Sequence, residues 1–546
     1  MITRRQLVCT AAAFTFAAAF DLRSAETPRD GRAKAPFRLL YGNDTTNITT
    51  CTSPWHKKGE PFRQEMIEAS VDEVAGTGVD AHLLQPGLGM VPMWPSKVLP
   101  LEEHYAWIQE RYQQGPDPFG KFVLGGGDVV QVFIERCRQR GQAPFISFRL
   151  NDAHHKEFVD PQPGAKPGAS IGMSVTRFYA AHPEYRIKPG SLRAADLVQN
   201  WAVPEVREQK FALLRELCEN YDLDGLELDF LRFPSFFRTG ETSREERCAI
   251  ITGFVRDVRA LLDRTARDGR RRWLGARVPC YLPALDLLGL DLPALAAAGL
   301  DMVNASAHYF TTQQHDLAAI RAQVPGAALY FEMCHSIWNG PKLGEGYDVF
   351  PFRRATPEEL HTAAHLAYAR GADGISLFNL AYYREHGGAG RGPFAEPPFA
   401  ALADLRDPAV LATQPQHWFL AEGWRPPGAK PTQLPREVVP GKPAVFTLDL
   451  APPAGGWKKD GRLRIQGAQS LGSAHWRATL NGAELTATAN RSEPFPNPYP
   501  SLLGQPDELR AWQVPARLLR DGANHVEITT DAEQRSTLVF LDITAA

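Results

Sequence analysis

The chain has 546 residues and a formal net charge of −2 at pH 7, with 44% hydrophobic and 22% charged residues. This length and composition predict two or more globular domains with their own hydrophobic cores. The balanced charge lacks the basic excess that is typical of nucleic-acid binders, so no nucleic-acid partner is predicted, whereas a neutral substrate such as a sugar fits.

The first 30 residues resemble an export signal. Arg4 and Arg5 precede a short apolar run from Leu7 to Phe20, as in twin-arginine signal peptides. Export to the periplasm or the extracellular space is therefore expected, with residues 1–30 as the signal peptide; a buried N-terminal helix is the alternative. The run is short for a membrane span, and no stable span is predicted.

Residues 37–405 alternate between strand-like and helix-like runs. The strand-like runs begin at Phe37, Val79, Ala143, Asp224, Trp273, Leu300, Ala327 and Asp373. Eight strand–helix units predict a (β/α)8 TIM barrel, with an insertion at residues 151–202 on the catalytic face. A doubly wound open sheet is the alternative, but "YGNDTTN" from Tyr41 is not the glycine fingerprint that usually follows its first strand.

The composition changes after the barrel. Residues 406–435 are proline-rich and irregular, which is typical of a linker, and residues 436–546 contain short alternating runs that predict an antiparallel β-sandwich. This domain is expected either to bind carbohydrate through Trp457, Trp476 or Trp512, or to be a structural domain that packs against the barrel.

The fourth strand-like run, "DGLELDF" from Asp224, places two carboxylates on one face. Leu226 and Leu228 share the other face, so Glu227 and Asp229 are predicted to point into the barrel. The same alternation on other strands predicts further inward polar residues: Arg149, Asn151, Arg277, Asn304, His308 and Glu332. Burying polar groups costs free energy unless they pair or bind something. Because barrel interiors normally hold branched apolar side chains, this pattern predicts a functional site. The residues expected to contact substrate there are Glu227, Arg149, Asn151, Arg232, Arg277, Asn304 and His308.

Two inward carboxylates from different strands suit glycoside hydrolysis. Asp229 is the predicted nucleophile, and Glu332 is the predicted acid/base. Glu227 lies one layer deeper and competes for the second role, but it is expected to form an ion pair with one of three arginines: Arg149, Arg277 or Arg232. The alternative for Asp229 is a structural carboxylate that pairs with an arginine.

The segment "NDAHH", Asn151 to His155, follows the third strand. Asp152, His154 and His155 are expected to hydrogen-bond sugar hydroxyls at the barrel mouth, and Trp338 is expected to offer an aromatic face to a sugar ring. A metal-dependent hydrolase that uses Asp152, His154 and His155 is an alternative. Since metal sites need three or four converging ligands, no metal or other cofactor is predicted.

Three motifs resemble those of the bacterial glycosyl-hydrolase-like barrel family: "HPEYR" from His182, "VPEVREQ" from Val203 and "YDLDGLELDFLRFP" from Tyr221. The resemblance implies a (β/α)8 fold with Asp229 as the catalytic aspartate, and it does not identify the acid/base. Phe230 stands where the family commonly has tyrosine. A weaker similarity to α-L-fucosidases rests on the histidine pair near the third strand and an aspartate on the fourth.

The sequence thus predicts an exported glycoside hydrolase that acts on an oligosaccharide or polysaccharide. A non-catalytic carbohydrate-binding barrel and a metal-dependent hydrolase are the alternatives.

Overall fold

The computed structural model describes residues 34–545 except 46, 49–52, 54, 56, 58–59, 155–170, 192, 339–351, 385–394, 422–431 and 498–503. The predicted signal peptide and His155 lie outside these residues. Within them, no helix is both long and apolar enough to cross a membrane.

Eight parallel strands close into a barrel, which confirms the predicted (β/α)8 fold. The strands follow one another in chain order around the barrel, and β8 closes it by pairing with β1. Their bounds are β1 Leu39–Asn43, β2 Ala81–Leu84, β3 Ala143–Arg149, β4 Gly225–Asp229, β5 Trp273–Pro279, β6 Met302–Ser306, β7 Ala328–Cys334 and β8 Gly374–Phe378.

Helices lie in the connections between the strands. The longer ones are Gln64–Asp72, Leu101–Tyr112, Val129–Gln139, Pro204–Asn220, Arg244–Arg264 and Pro357–Ala369. The shorter ones are Pro118–Leu124, Leu282–Leu288, Leu292–Ala297, Leu317–Gln323 and Pro408–Leu411. Local sequence fixes several starts: Pro204 occupies the first turn of its helix, and Ser243 and Thr356 each begin a capping box.

The connections at the carboxyl ends of β2, β3 and β7 are long. The one after β3 holds the predicted insertion, with short helices at Ile171–Ser174, Arg177–Ala181 and Ala194–Leu197. The one after β7 contains a hairpin of Ser336–Trp338 and Phe352–Arg354. These segments surround the face on which barrel active sites lie.

The barrel interior changes from apolar to polar along the strands. At the amino ends it holds a separate apolar cluster that includes Leu40, Leu83, Phe145, Met302 and Tyr330. The outward side chains of the same strands belong to the main core, together with the helices. Phe145 therefore points inward together with Ser147 and Arg149, because side chains alternate along a strand.

Residues after the barrel form two antiparallel sheets, as the sandwich prediction requires. One sheet contains Gln416–Ala421, Arg436–Val438, Gly461–Gly467, Ala487–Thr488, Leu509–Val514 and Ser536–Ala545. The other contains Ala444–Leu450, Trp476–Leu480, Ala483–Glu484 and Gly522–Thr530. The strand Gln416–Ala421 lies within the segment that the sequence indicates as linker, and it pairs with the last strand.

The sandwich tryptophans differ from the sequence expectation. Trp476 and Trp512 are buried in the sandwich core, so neither presents a ring face to a sugar. Trp457 packs against the same core and donates its indole N–H to Gln416 Oε1 at 2.8 Å. This burial favours a structural role for Trp476 and Trp512.

A buried ion pair joins the sandwich to the hairpin after β7. Arg353 of the hairpin donates to Glu493 at 2.5 Å. Within the sandwich, Arg464 donates to Asp542 at 2.6 Å, and His417 Nε2 lies 2.8 Å from the same carboxylate. Removing one partner of a buried pair leaves an uncompensated charge, so the Arg353–Glu493 pair holds the sandwich against the hairpin.

The substitution Gly225→Ala tests the close packing at the start of β4. A Cβ there would lie 2.0 Å from the Phe145 ring, so either the ring or one of the two strands must shift. The free energy of unfolding, measured by denaturant titration, should fall by about 1–3 kcal/mol. Gly253→Ala is the matched control, since a helical Cβ there meets nothing within 4 Å and should raise stability by about 0.5–1 kcal/mol. Equal stability of the two variants would contradict this packing.

Candidate active site

Arg277 lies between two carboxylates at the carboxyl ends of the strands. Its Nε and Nη2 donate to Glu332 at 2.7 to 3.0 Å, and its Nη1 donates to both oxygens of Asp229 at 3.2 and 3.3 Å. All three side chains are almost fully buried. Strands β4, β5 and β7 thus bring together one cation and two anions that the sequence places inside the barrel.

Asp229 receives two further hydrogen bonds. Gln85 donates to Oδ2 at 2.7 Å and the backbone N–H of Leu231 donates to Oδ1 at 2.8 Å. Every partner is therefore a donor, and the side chain has no exposed surface. The sequence analysis did not identify Gln85. This residue comes directly after β2, two positions after Leu83. Because Leu83 points into the barrel, strand alternation would have placed Gln85 on the same inward face.

Glu332 is enclosed by donors. Besides Arg277, its carboxylate accepts from Ser306 Oγ at 2.6 Å and Asn304 Nδ2 at 3.1 Å. A proton donor in glycoside hydrolysis must hold a proton and reach the leaving-group oxygen. The contacts of Glu332 instead suit a bound counterion of Arg277.

Glu227 lies deeper and has neutral partners. It accepts hydrogen bonds from Ser147 Oγ at 2.7 Å and Asn304 Nδ2 at 2.9 Å. Burial, followed by repulsion from Glu332, raises the pKa of Glu227 to about 7. The predicted ion pair of Glu227 with Arg149, Arg277 or Arg232 is wrong for the part of the chain described. The guanidinium groups of Arg149 and Arg277 pair with other carboxylates, and that of Arg232 contacts two histidines.

Arg149 forms a second buried centre. It donates to Asp152 at 3.2 Å, lies 3.5 Å from Asp44, and donates its Nε–H to Gln85 Oε1 at 2.8 Å. Gln85 therefore links this centre to Asp229. Each of the two buried arginines thus has two carboxylate partners.

Arg232 lies at the barrel mouth and is half-buried. Its Nη2 lies 2.9 Å from His154 Nε2, and its Nη1 lies 3.1 Å from His308 Nε2. The guanidinium carbon is 4.6 Å from the centre of the Tyr309 ring. Burial lowers the pKa of His154, and burial together with the charge of Arg232 holds the pKa of His308 well below its usual value.

Other predicted site residues have different surroundings. Asn151 donates to the carbonyls of Gln199 and Ser235 and accepts from Gln199 N–H, so its side chain joins two loops and does not suit the predicted substrate contact. The chain leaves β3 at Arg149, so strand alternation no longer applies there. Trp338 stacks edge-on against Phe310 at 5.0 Å in the hairpin after β7.

The donor atoms of the "NDAHH" segment that the structure describes face cations. Asp152 accepts from Arg149, and His154 Nε2 faces Arg232, so neither group is arranged to bind a metal ion. Elsewhere in the described residues, His417, Glu493 and Asp542 converge. Arg353 and Arg464 already neutralise those carboxylates, so this cluster does not fit a metal ion either.

No family model matches the chain, and no curated protein matches it. Among solved structures, a cycloisomaltooligosaccharide glucanotransferase from Paenibacillus sp. aligns at 12% identity over 92% of this chain and 57% of its own, with a TM-score of 0.28. A trimodular GH5_4 subfamily endoglucanase aligns at 11% identity over 88% of this chain and 72% of its own, with a TM-score of 0.36. The chain thus spans little more than half the length of the first of these structures.

An α-L-fucosidase from Paenibacillus thiaminolyticus aligns at 12% identity over 68% of this chain and 48% of its own, with a TM-score of 0.39. At these identities and TM-scores, the likenesses support no inference about activity. The resemblance of the sequence motifs to the glycosyl-hydrolase-like barrel family stays a prediction.

The substitution Glu227→Gln tests the buried neutral carboxyl. The pKa of Glu227 is about 7 in the folded protein against 4.5 for a free side chain. The folded state therefore binds more protons between these pH values, and the free energy of unfolding falls as the pH rises. One proton contributes about 1.4 kcal/mol per pH unit, so the native protein should lose up to about 3 kcal/mol more than the variant between pH 4.5 and 7.5.

Denaturant titrations at several pH values measure this difference. Glu208→Gln, at an exposed position in the helix Pro204–Asn220, is the matched control and should keep the native pH dependence. An unchanged pH dependence in Glu227→Gln would show that the carboxyl is ionised in the folded protein.

Proposed function

We propose that the protein is a glycoside hydrolase in which Asp229 is the reacting carboxylate. The observation that supports this most is the buried Asp229–Arg277–Glu332 cluster at the carboxyl ends of the barrel strands. Barrel enzymes build their active sites at that end. Apolar residues would fill the same space at lower cost in free energy, so a purely structural role is a weaker explanation.

Asp229 would attack or stabilise the anomeric carbon of the sugar. Gln85, Leu231 N–H and Arg277 would hold the carboxylate in a fixed direction. Two carboxylates around one guanidinium give the cluster an excess negative charge. That excess suits the positive charge that develops on the sugar ring in the transition state.

We assign Glu332 to the positioning of Arg277 instead of the acid/base role that the sequence suggests. Asp44 is our candidate for proton transfer. It follows β1 directly and lies 3.5 Å from both Arg149 Nη2 and the Tyr309 hydroxyl, and it accepts from Asn379 Nδ2 at 2.8 Å. Asp44 thus lies at the same strand ends as Asp229 and outside the Arg277 cluster.

A carbohydrate-binding barrel without turnover is the second candidate. The complete burial of the Asp229 side chain favours it, because substrate must displace other groups before reaching that carboxylate. A sugar bound only at the mouth would meet Arg232, His154 and Tyr309, which are half-buried.

We also propose that residues 1–30 direct export by the twin-arginine route, on the pattern of Arg4, Arg5 and the apolar run that follows.

The substitution Asp229→Asn should abolish glycan cleavage while leaving the fold intact. Removing a reacting carboxylate should lower kcat by roughly 10²–10⁴-fold. The purified protein is assayed over a broad oligosaccharide panel, with circular dichroism to check folding. Asp222→Asn, on the loop before β4, is the matched control and should cleave as the native protein does. Cleavage that persists in Asp229→Asn would exclude this residue, and sugar binding without turnover on any substrate would favour the binding barrel.

Aryl glycosides with good and poor leaving groups separate the roles of Asp44 and Glu332. Loss of a general acid spares substrates whose leaving group needs no protonation. Asp44→Asn should therefore retain turnover of the activated substrate and lose turnover of the poor one. Glu332→Gln should lose both to a similar extent, because Arg277 and with it Asp229 would be misplaced. Selective retention of the activated substrate by Glu332→Gln would instead make Glu332 the acid.

A further inference from the structure

We propose that Arg232 binds an oxyanion substituent of the sugar, so that the substrate is an acidic glycan such as a uronic acid or a sulfated sugar. This inference rests on the proposed function of the same site. It concerns which sugars the barrel mouth accepts and leaves the reaction at Asp229 unchanged.

Arg232 differs from the other two arginines in its charge partners. Arg149 and Arg277 each lie within ion-pair distance of two carboxylates. Among the residues that the structure describes, Arg232 forms no ion pair with a carboxylate; its Nη atoms contact imidazole nitrogens instead. Its Nε–H is buried and has no hydrogen-bond partner. The guanidinium therefore has no carboxylate in direct contact, and its Nε–H remains a free donor.

The two imidazoles do not supply the missing negative charge. Asp152 lies 2.8 Å from His154 Nδ1, and an ionised carboxylate only accepts hydrogen bonds. His154 therefore donates from Nδ1 and presents the Nε2 lone pair to Arg232, which makes it a neutral ring. The hydrogen bonds between Asp152 and His154 and between His154 and Arg232 fix the direction of the guanidinium. The imidazole ring of His154 separates the Asp152 carboxylate from that guanidinium.

Aromatic rings complete the setting of Arg232. Its guanidinium carbon lies 4.6 Å from the centre of the Tyr309 ring and 5.2 Å from that of the Phe233 ring. A half-buried cation between rings and neutral histidines has lost part of its hydration without gaining an ion pair. A carboxylate or sulfate recovers that cost through charge-assisted hydrogen bonds to a guanidinium that is already oriented.

The separation of charges agrees with the proposed reaction. The deep carboxylates suit the reacting carbon, and Arg232 is the charged group nearer to solvent. Asp229 and Arg232 are three residues apart, and Leu231 N–H binds the Asp229 carboxylate directly. In a uronic acid, the carboxylate is attached to the carbon next to the ring oxygen, which also joins the anomeric carbon. One sugar ring can therefore face both residues.

Isothermal titration calorimetry with defined sugars tests the proposal. Glucuronate, galacturonate and glucose 6-sulfate are titrated into the full chain beside glucose and galactose, at low and high salt. An acidic sugar should bind at least about tenfold more tightly than its neutral parent, since only the acidic sugar makes a charge-assisted hydrogen bond to the guanidinium. The advantage should shrink at high salt and should vanish in Arg232→Gln.

Two further variants serve as controls. Arg232→Lys keeps the charge but loses the planar fork, so part of the preference for acidic sugars should remain. Arg244→Gln removes an exposed arginine that pairs with Asp286 and not with a mouth residue, and should keep the full preference. Binding of the sulfate ester alone would support the oxyanion site and identify sulfate as its ligand. Equal affinity for acidic and neutral sugars, or a preference that survives Arg232→Gln, would overturn the proposal.

The test also separates this inference from the proposed function. Cleavage of neutral glycans that is lost in Asp229→Asn, without any preference for acidic sugars, would retain the hydrolase and reject the oxyanion site. Arg232-dependent binding of the acidic sugars, together with no cleavage of any acidic or neutral oligosaccharide, would support the oxyanion site and reject the hydrolase.

Discussion

The contact of Arg277 with Asp229 and Glu332 is the interaction on which the barrel mouth depends. Without the guanidinium, two buried carboxylates would face each other as like charges, at a cost of about 3–5 kcal/mol. Arg277 also donates to the carbonyl of His308 at 3.1 Å, and His308 contacts Arg232. One buried cation thus fixes the deep carboxylates and the loop that supports the outer arginine.

The sandwich extends this support from outside the barrel. Arg353 of the hairpin after β7 pairs with Glu493, and Asn497 donates to the carbonyl of Arg354 at 2.7 Å. At the other strand of the hairpin, Ser336 accepts from Thr311 N–H at 2.8 Å, three residues after His308. The second domain is therefore connected through the hairpin to the residues around Arg232, which gives it a structural role at the mouth.

Strand alternation predicted the barrel and the inward charges because each strand has one face against the helices and one inside, as Leu226 and Asp229 illustrate. The pairing among inward groups could not be predicted, since it depends on which side chains from different strands reach one another. Glu227 was expected to bind an arginine and instead binds Ser147 and Asn304. Strand alternation also gave the wrong direction for Asn151, because β3 has already ended there. The strand Gln416–Ala421 was not predicted, because the prolines around it indicated a linker.

A crystal structure of the Asp229→Asn variant with an oligosaccharide bound would show whether Asp229 is the reacting carboxylate. We expect a glycosidic bond at the carboxyl ends of the barrel strands, with the anomeric carbon about 3–3.5 Å from the side chain of residue 229. Gln85 or Arg277 would have moved to admit it. A sugar bound on the sandwich, or at the mouth with residue 229 still covered by Gln85 and Arg277, would contradict a catalytic role for Asp229.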